Sequence, residues 1–76
     1  MDVKFYSRPN CDLCEEGLRI LKLVQEDSVF TIEIINIEDN DELHEKYMLM
    51  IPVVVRGDEV IQFGALDYVK LVETLA

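Results

Sequence analysis

Between Val3 and Ile37 the chain reads strand, helix, strand, and no other feature constrains its fold as much. Val3-Lys4-Phe5-Tyr6 is a short, mostly apolar run that reads as a buried strand. Ser7-Arg8-Pro9-Asn10 stops it, because Pro9 cannot donate to a ladder and Asn10 is a candidate helix N-cap. From Cys11 to about Glu26, apolar residues recur at Leu13, Cys14, Gly17, Leu18, Leu21 and Val24. That is helical spacing, with Ile20 and Leu23 expected to widen the buried stripe. Glu15 and Glu16 fall in the first turns, where the helix dipole favours negative charge. Val29 to Ile37 is rich in β-branched residues and reads as a second strand, with Glu33 and Asn36 placing it near a sheet edge. Two strands joined by a helix must lie parallel in one sheet, through a right-handed crossover.

The remainder completes that sheet. Residues 38–42 form an acidic turn that caps a short helix reaching about Tyr47. Pro52-Val53-Val54-Val55 and Val60-Ile61-Gln62-Phe63 flank Arg56-Gly57-Asp58-Glu59, a hairpin signal in which Gly57-Asp58 supplies the tight turn. Gly64 ends the last strand, and Leu66, Val69, Val72 and Leu75 mark a final amphipathic helix. The order is β-α-β-α-β-β-α, an α/β fold with a four-stranded mixed sheet and three helices. With 76 residues the chain has material for one domain, 1–76, and one core.

Charge narrows the function. Sixteen acidic residues against seven basic ones give a net charge of −9. Nucleic acid needs a basic face, and scattered Lys and Arg do not make one. Anionic membrane surfaces are disfavoured for the same reason. Apolar runs fall well short of the roughly 18 residues of a membrane span. Met1-Asp2-Val3-Lys4 lacks the basic and apolar regions of a secretory signal. The expected compartment is the cytoplasm, where structural disulfides are rare. There, Cys11-Asp12-Leu13-Cys14 points to redox chemistry or metal. Zinc usually takes four ligands, and this chain offers two cysteines and His44, so no monomeric metal site is expected. His44 reads as an exposed helix residue, and the bland alternative for the pair is two inert core cysteines.

A Cys-x-x-Cys at the junction of the first strand and first helix, in this element order, resembles the thioredoxin-fold superfamily. The motif strand comes first, as in its glutaredoxin branch. The segment Tyr6-Ser7-Arg8-Pro9-Asn10-Cys11-Asp12-Leu13-Cys14, with Ile51-Pro52 further on, resembles a small bacterial glutaredoxin-like family with the signature Tyr-Ser-Arg-x-x-Cys-x-Leu-Cys. The resemblance covers essentially the whole chain. It implies a thioredoxin-like fold and a thiol–disulfide oxidoreductase that reduces protein disulfides or glutathione mixed disulfides. Cys11 would be the nucleophile and Cys14 the resolving thiol, with no bound cofactor and glutathione as a candidate reductant. A monomer is expected, and its reductase is not specified. Ile51-Pro52 would be a cis peptide, with the Ile51 backbone facing the nucleophile and pairing with an extended substrate. The bland reading is a trans proline starting a strand. Arg8 stands nearest the place of the branch's lysine. Gly64, Ala65 and Asp67 correspond to the segment that holds the γ-glutamyl end of glutathione, with helix-terminal N–H groups near Ala65 facing a carboxylate. The chain departs from the branch in carrying Asp-Leu between the cysteines, Met50-Ile51 before the proline and one glycine in place of two. Its acidic surface works against anionic glutathione and favours a partner with a basic face.

The motif's physics agrees with exchange chemistry. A helix N-terminus presents unpaired N–H groups and stabilises a Cys11 thiolate, lowering its pKa. Arg8 favours the thiolate and Asp12 opposes it. Cys14, one turn on, lies on the same face, within reach of Cys11. Two other readings stand: a non-catalytic thioredoxin-fold module that binds a partner at the Pro52 edge, and a dimer carrying an iron–sulfur cluster through Cys11 and glutathione.

Overall fold

A computed structural model describes residues 1–75. The chain forms β1 (Asp2–Ser7), α1 (Asp12–Asp27), β2 (Thr31–Asn36), a 3-10 turn (Ile37–Asp39), α2 (Asp41–Tyr47), β3 (Val53–Arg56), β4 (Glu59–Phe63) and α3 (Tyr68–Leu75). The element order is the expected one, and the four strands make one mixed sheet in the order β2-β1-β3-β4. β1 runs parallel to β2, from Asp2↔Thr31 to Ser7↔Asn36. It runs antiparallel to β3, with Phe5 opposite Val54. β3 and β4 form the antiparallel hairpin across Gly57-Asp58, and Gly57 takes φ +61°, a conformation open to glycine at little cost. β2 is an edge strand, as Glu33 and Asn36 suggested.

The alternation of side chains along each strand divides the core in two. Val3 and Phe5 of β1 and Val54 of β3 pack under α1 and α3 with Leu21, Val24, Phe30, Leu71 and Leu75. Tyr6, Val53 and Val55 point the other way and meet Ile37 and Tyr47, so α2 covers the second face.

Several local expectations differ from the structure. Cys11, not Asn10, is the N-cap of α1 (φ −121°, ψ 102°). Asn10 instead sits at φ +57°, a left-handed conformation that Asn tolerates better than most residues, and turns the chain into the helix. The buried stripe of α1 is Cys14, Gly17, Leu21 and Val24. Leu23 is 43% exposed because it lies about 200° round the helix from Leu21. Leu13 is 45% exposed on the open first turn. β2 is shorter than its apolar run: Val29 is almost wholly exposed before it, and Ile37 begins the 3-10 turn after it. α3 starts after Leu66, and Leu71 and Leu75 are its buried residues, whereas Val69 faces outward.

Candidate active site

The site is assembled where β1 delivers the chain into α1. Cys11 caps the helix with its own side chain: the Cys14 backbone N–H donates to Cys11 Sγ at 3.2 Å. A sulfur in that position receives the electrostatic benefit of a helix N-terminus directly. Cys11 and Cys14 are joined as a disulfide, with Cα atoms 5.2 Å apart. Cys14 is buried and Cys11 half-buried, so a molecule arriving from solvent reaches Cys11 first. Asp12, Glu15 and Glu16 are exposed in the same first turns of α1. Arg19 pairs with Glu16, and this hydrogen bond holds the Glu16 carboxyl below its ordinary value. Arg8 is exposed three residues before Cys11, and among the described residues it enters no ion pair. No cluster of metal-ligating side chains occurs among the described residues, and His44 is half-buried on α2.

The Ile51-Pro52 peptide is cis. Pro52 is buried against α1, one turn beyond Cys14. A Cβ on Gly17 would lie 2.9 Å from Pro52 Cγ and 3.2 Å from Leu66 Cδ1. Glycine at 17 therefore lets the proline segment come up to the cysteine helix. Tyr47 holds that segment from the other side: its carbonyl accepts the Met50 N–H at 2.8 Å and the Ile51 N–H at 3.1 Å. Its ring stacks on Tyr6, with centroids 4.7 Å apart. Tyr6 lies on the strand that leads into the motif, so one aromatic pair ties both halves of the site together. The Ile51 side chain packs into the same cluster.

Gly64, Ala65 and Asp67 lie between the end of β4 and the start of α3. The Gly64 N–H is shared between the carbonyls of Met50, at 3.0 Å, and Pro52, at 2.8 Å. Gly64 has φ +73° and pins the end of β4 to the proline segment. Asp67 is the N-cap of α3: its carboxylate accepts the Lys70 N–H at 3.1 Å and its carbonyl the Leu71 N–H at 3.0 Å. The first-turn N–H groups of α3 thus lie at residues 68–70 rather than near Ala65, which is exposed in the preceding loop. The Gln62 side chain clamps Asp67, accepting its N–H at 2.8 Å and donating to its carbonyl at 3.3 Å. An open groove of about 660 Å³ lies between β4 and α3, lined by Met50, Val60, Phe63, Ala65, Asp67 and Lys70 among others; neither cysteine lines it.

The residue pattern brought Cys11 and Cys14 together and the family resemblance added Pro52, but neither pointed to the roles of Gly17, Tyr47 and Gln62. Gly17 carried one usable signal: a glycine inside a helix costs about 1 kcal/mol relative to alanine, so a close approach was to be looked for there. The other two act through contacts that no local pattern announces.

Comparison with known proteins places this arrangement. A profile of the Glutaredoxin-like domain (DUF836) matches residues 2–76. No protein of curated function matches the sequence. Among solved structures, the chain is similar to protein Ne2328 from Nitrosomonas europaea, with 32% identity, coverage of 99% of this chain and 91% of that one, and a TM-score of 0.84. It is also similar to protein XcR50 from X. campestris, with 23% identity, coverage of 96% and 93%, and a TM-score of 0.80. Thioredoxin 1 from Thermosipho africanus shares the fold at 19% identity, with coverage of 97% and 89% and a TM-score of 0.69. The fold is thus thioredoxin-like, its Cys-x-x-Cys pair is compatible with redox activity, and the chain belongs to the glutaredoxin-like family.

Proposed function

We propose that the protein is a thiol–disulfide oxidoreductase that reduces protein disulfides or glutathione mixed disulfides. One observation carries this reading: Cys11 is both the helix cap and the more accessible member of a pair at disulfide distance. In the reduced protein the Cys11 thiolate attacks one sulfur of the substrate disulfide. A bond forms to Cys11 Sγ, and the other substrate sulfur leaves as a thiolate that takes a proton from water. Cys14 then gives up its proton and attacks Cys11 Sγ. The second substrate thiolate departs and is protonated. The substrate gains two electrons, and the Cys11–Cys14 pair is oxidised to the disulfide. Two thiols, from glutathione or from a dithiol reductase, return the electrons. The working form is a cytoplasmic monomer without a bound cofactor. Arg8, three residues before Cys11, and the Ile51-Pro52 segment, packed against α1 at Gly17, would meet the incoming disulfide. Gly64, Ala65 and Asp67 frame the region beyond them.

Cys11→Ser should abolish disulfide reduction, and Cys14→Ser should arrest as a mixed disulfide on Cys11. Mass spectrometry of Cys14→Ser protein after incubation with a disulfide substrate reads the trapped adduct. Full activity in Cys11→Ser would overturn the assignment.

A further inference from the structure

We infer that Cys11 serves a disulfide carried on a protein segment with apolar and basic flanks, and that glutathione disulfide is a poor substrate. This deepens the exchange reading above and rests on it. Glutathione carries two carboxylates against one ammonium, so a site for it must present hydrogen-bond donors and positive charge. Beside Pro52 two backbone donors are already used. The Ile51 N–H goes to the Tyr47 carbonyl, and the Gly64 N–H is divided between the Met50 and Pro52 carbonyls. At the start of α3 the Lys70 N–H is taken by the Asp67 carboxylate and the Leu71 N–H by the Asp67 carbonyl, and Asp67 is held by Gln62. Turning any of these outward breaks an internal hydrogen bond, which offsets what the ligand would gain.

Charge points the same way. Asp12, Glu15 and Glu16 are exposed in the same helical turns as the cysteine pair, with Glu16 partnered by Arg19. Arg8 is the one cation in the motif loop. Elsewhere, Lys46 lies over the Tyr47 ring at 5.1 Å, and Lys70 lines the groove beside Asp67. The mouth is net negative on a chain of net charge −9, and such a field attracts cationic partners and repels anionic ones.

What the site offers instead is apolar surface. Leu13 stands exposed between the cysteines. Met48 and Leu49, the latter 91% exposed, lead into the proline segment. Phe63 precedes the Gly64 that is bonded to Pro52, is more than half exposed, and lines the groove with Met50 and Val60. Apolar side chains joined to the site in this way, within an acidic surround, fit an apolar segment that carries Lys or Arg.

The test uses pre-reduced protein and follows oxidation of the Cys11–Cys14 pair by four disulfides. These are glutathione disulfide, a basic apolar peptide with one disulfide, an acidic peptide of the same length, and neutral hydroxyethyl disulfide. The basic peptide should react about tenfold or more faster than the acidic peptide and glutathione disulfide at low salt, with the ratio shrinking as salt is added. Leu49→Ser, a change at an exposed position, should slow the basic peptide about fivefold and leave the glutathione disulfide rate where it was. Glutathione disulfide matching the basic peptide, a preference indifferent to salt, or an unaltered Leu49→Ser rate would each overturn the inference. If hydroxyethyl disulfide also leaves the pair reduced, the exchange reading itself fails and takes the inference with it.

Discussion

A methyl group at position 17 would meet the Pro52 ring, and a ring atom has little freedom to move aside. α1 therefore tolerates a glycine in its interior, against its own helical preference, so that the proline segment can approach the cysteine turn. Gly17→Ala should add helix propensity and still destabilise the domain, by about 1–3 kcal/mol, through overpacking at Pro52 and Leu66. Urea unfolding checks the sign: a stabilised variant would mean that the Pro52 segment yields without cost. Cys11 was legible at this scale, since a cysteine after a Pro-Asn stop falls at a helix start. Its capping bond, and the shift of Asn10 to a turn residue, depended on backbone geometry that residue type alone does not specify. Both Asn10 and Cys11 are chemically able to cap.

At the scale of elements, the β4–α3 junction shows what local pattern reading misses. The apolar spacing from Leu66 to Leu75 suggested a helix beginning at Leu66. The chain instead spends Gly64 on the proline segment, packs Leu66 near Gly17 and starts α3 only after Asp67 has been clamped by Gln62. Asp67 is consequently a helix cap, and Asp67→Ala should cost about 1 kcal/mol, as cap losses commonly do. The denaturation midpoint should fall while Cys11–Cys14 exchange with a small neutral disulfide persists. A variant as stable as the parent would show that the Asp67 carboxylate contributes nothing to α3. β2 was legible from its β-branched run, yet it is trimmed at both ends. Val29 comes before pairing with β1 begins at Thr31, and Ile37 turns inward to fill the second cluster.

The whole molecule rests on two small apolar clusters on opposite faces of one sheet. A domain of 76 residues is expected to have a net stability of roughly 4–11 kcal/mol. Leu71, fully buried and joined to Val3, Phe5 and Leu21 in the larger cluster, carries a large part of that margin. Leu71→Ala should cost about 2–5 kcal/mol and leave the chain close to unfolding. Thermal denaturation by circular dichroism measures it, and a small loss would mean that the cluster closes over the gap. The net charge of −9 belongs to this scale too, since no single residue produces it. Among the described residues, no helix is long and apolar enough to cross a membrane.

The sequence by itself determined the element order, the mixed sheet with a parallel β1–β2 pair, and the place of the Cys-x-x-Cys at the head of α1. These follow from spacing, strand and helix preference, and the reach of a single crossover, all of which are local or nearly so. Tertiary structure alone decided which donors remain available around Pro52. The Gly64 N–H, the Ile51 N–H and the Asp67 carboxylate have partners 3 to 14 residues away, chosen by how β4, α2 and α3 pack rather than by any motif. A hydrogen-bonding group's availability depends on its neighbours in space, which residue type and spacing along the chain do not specify.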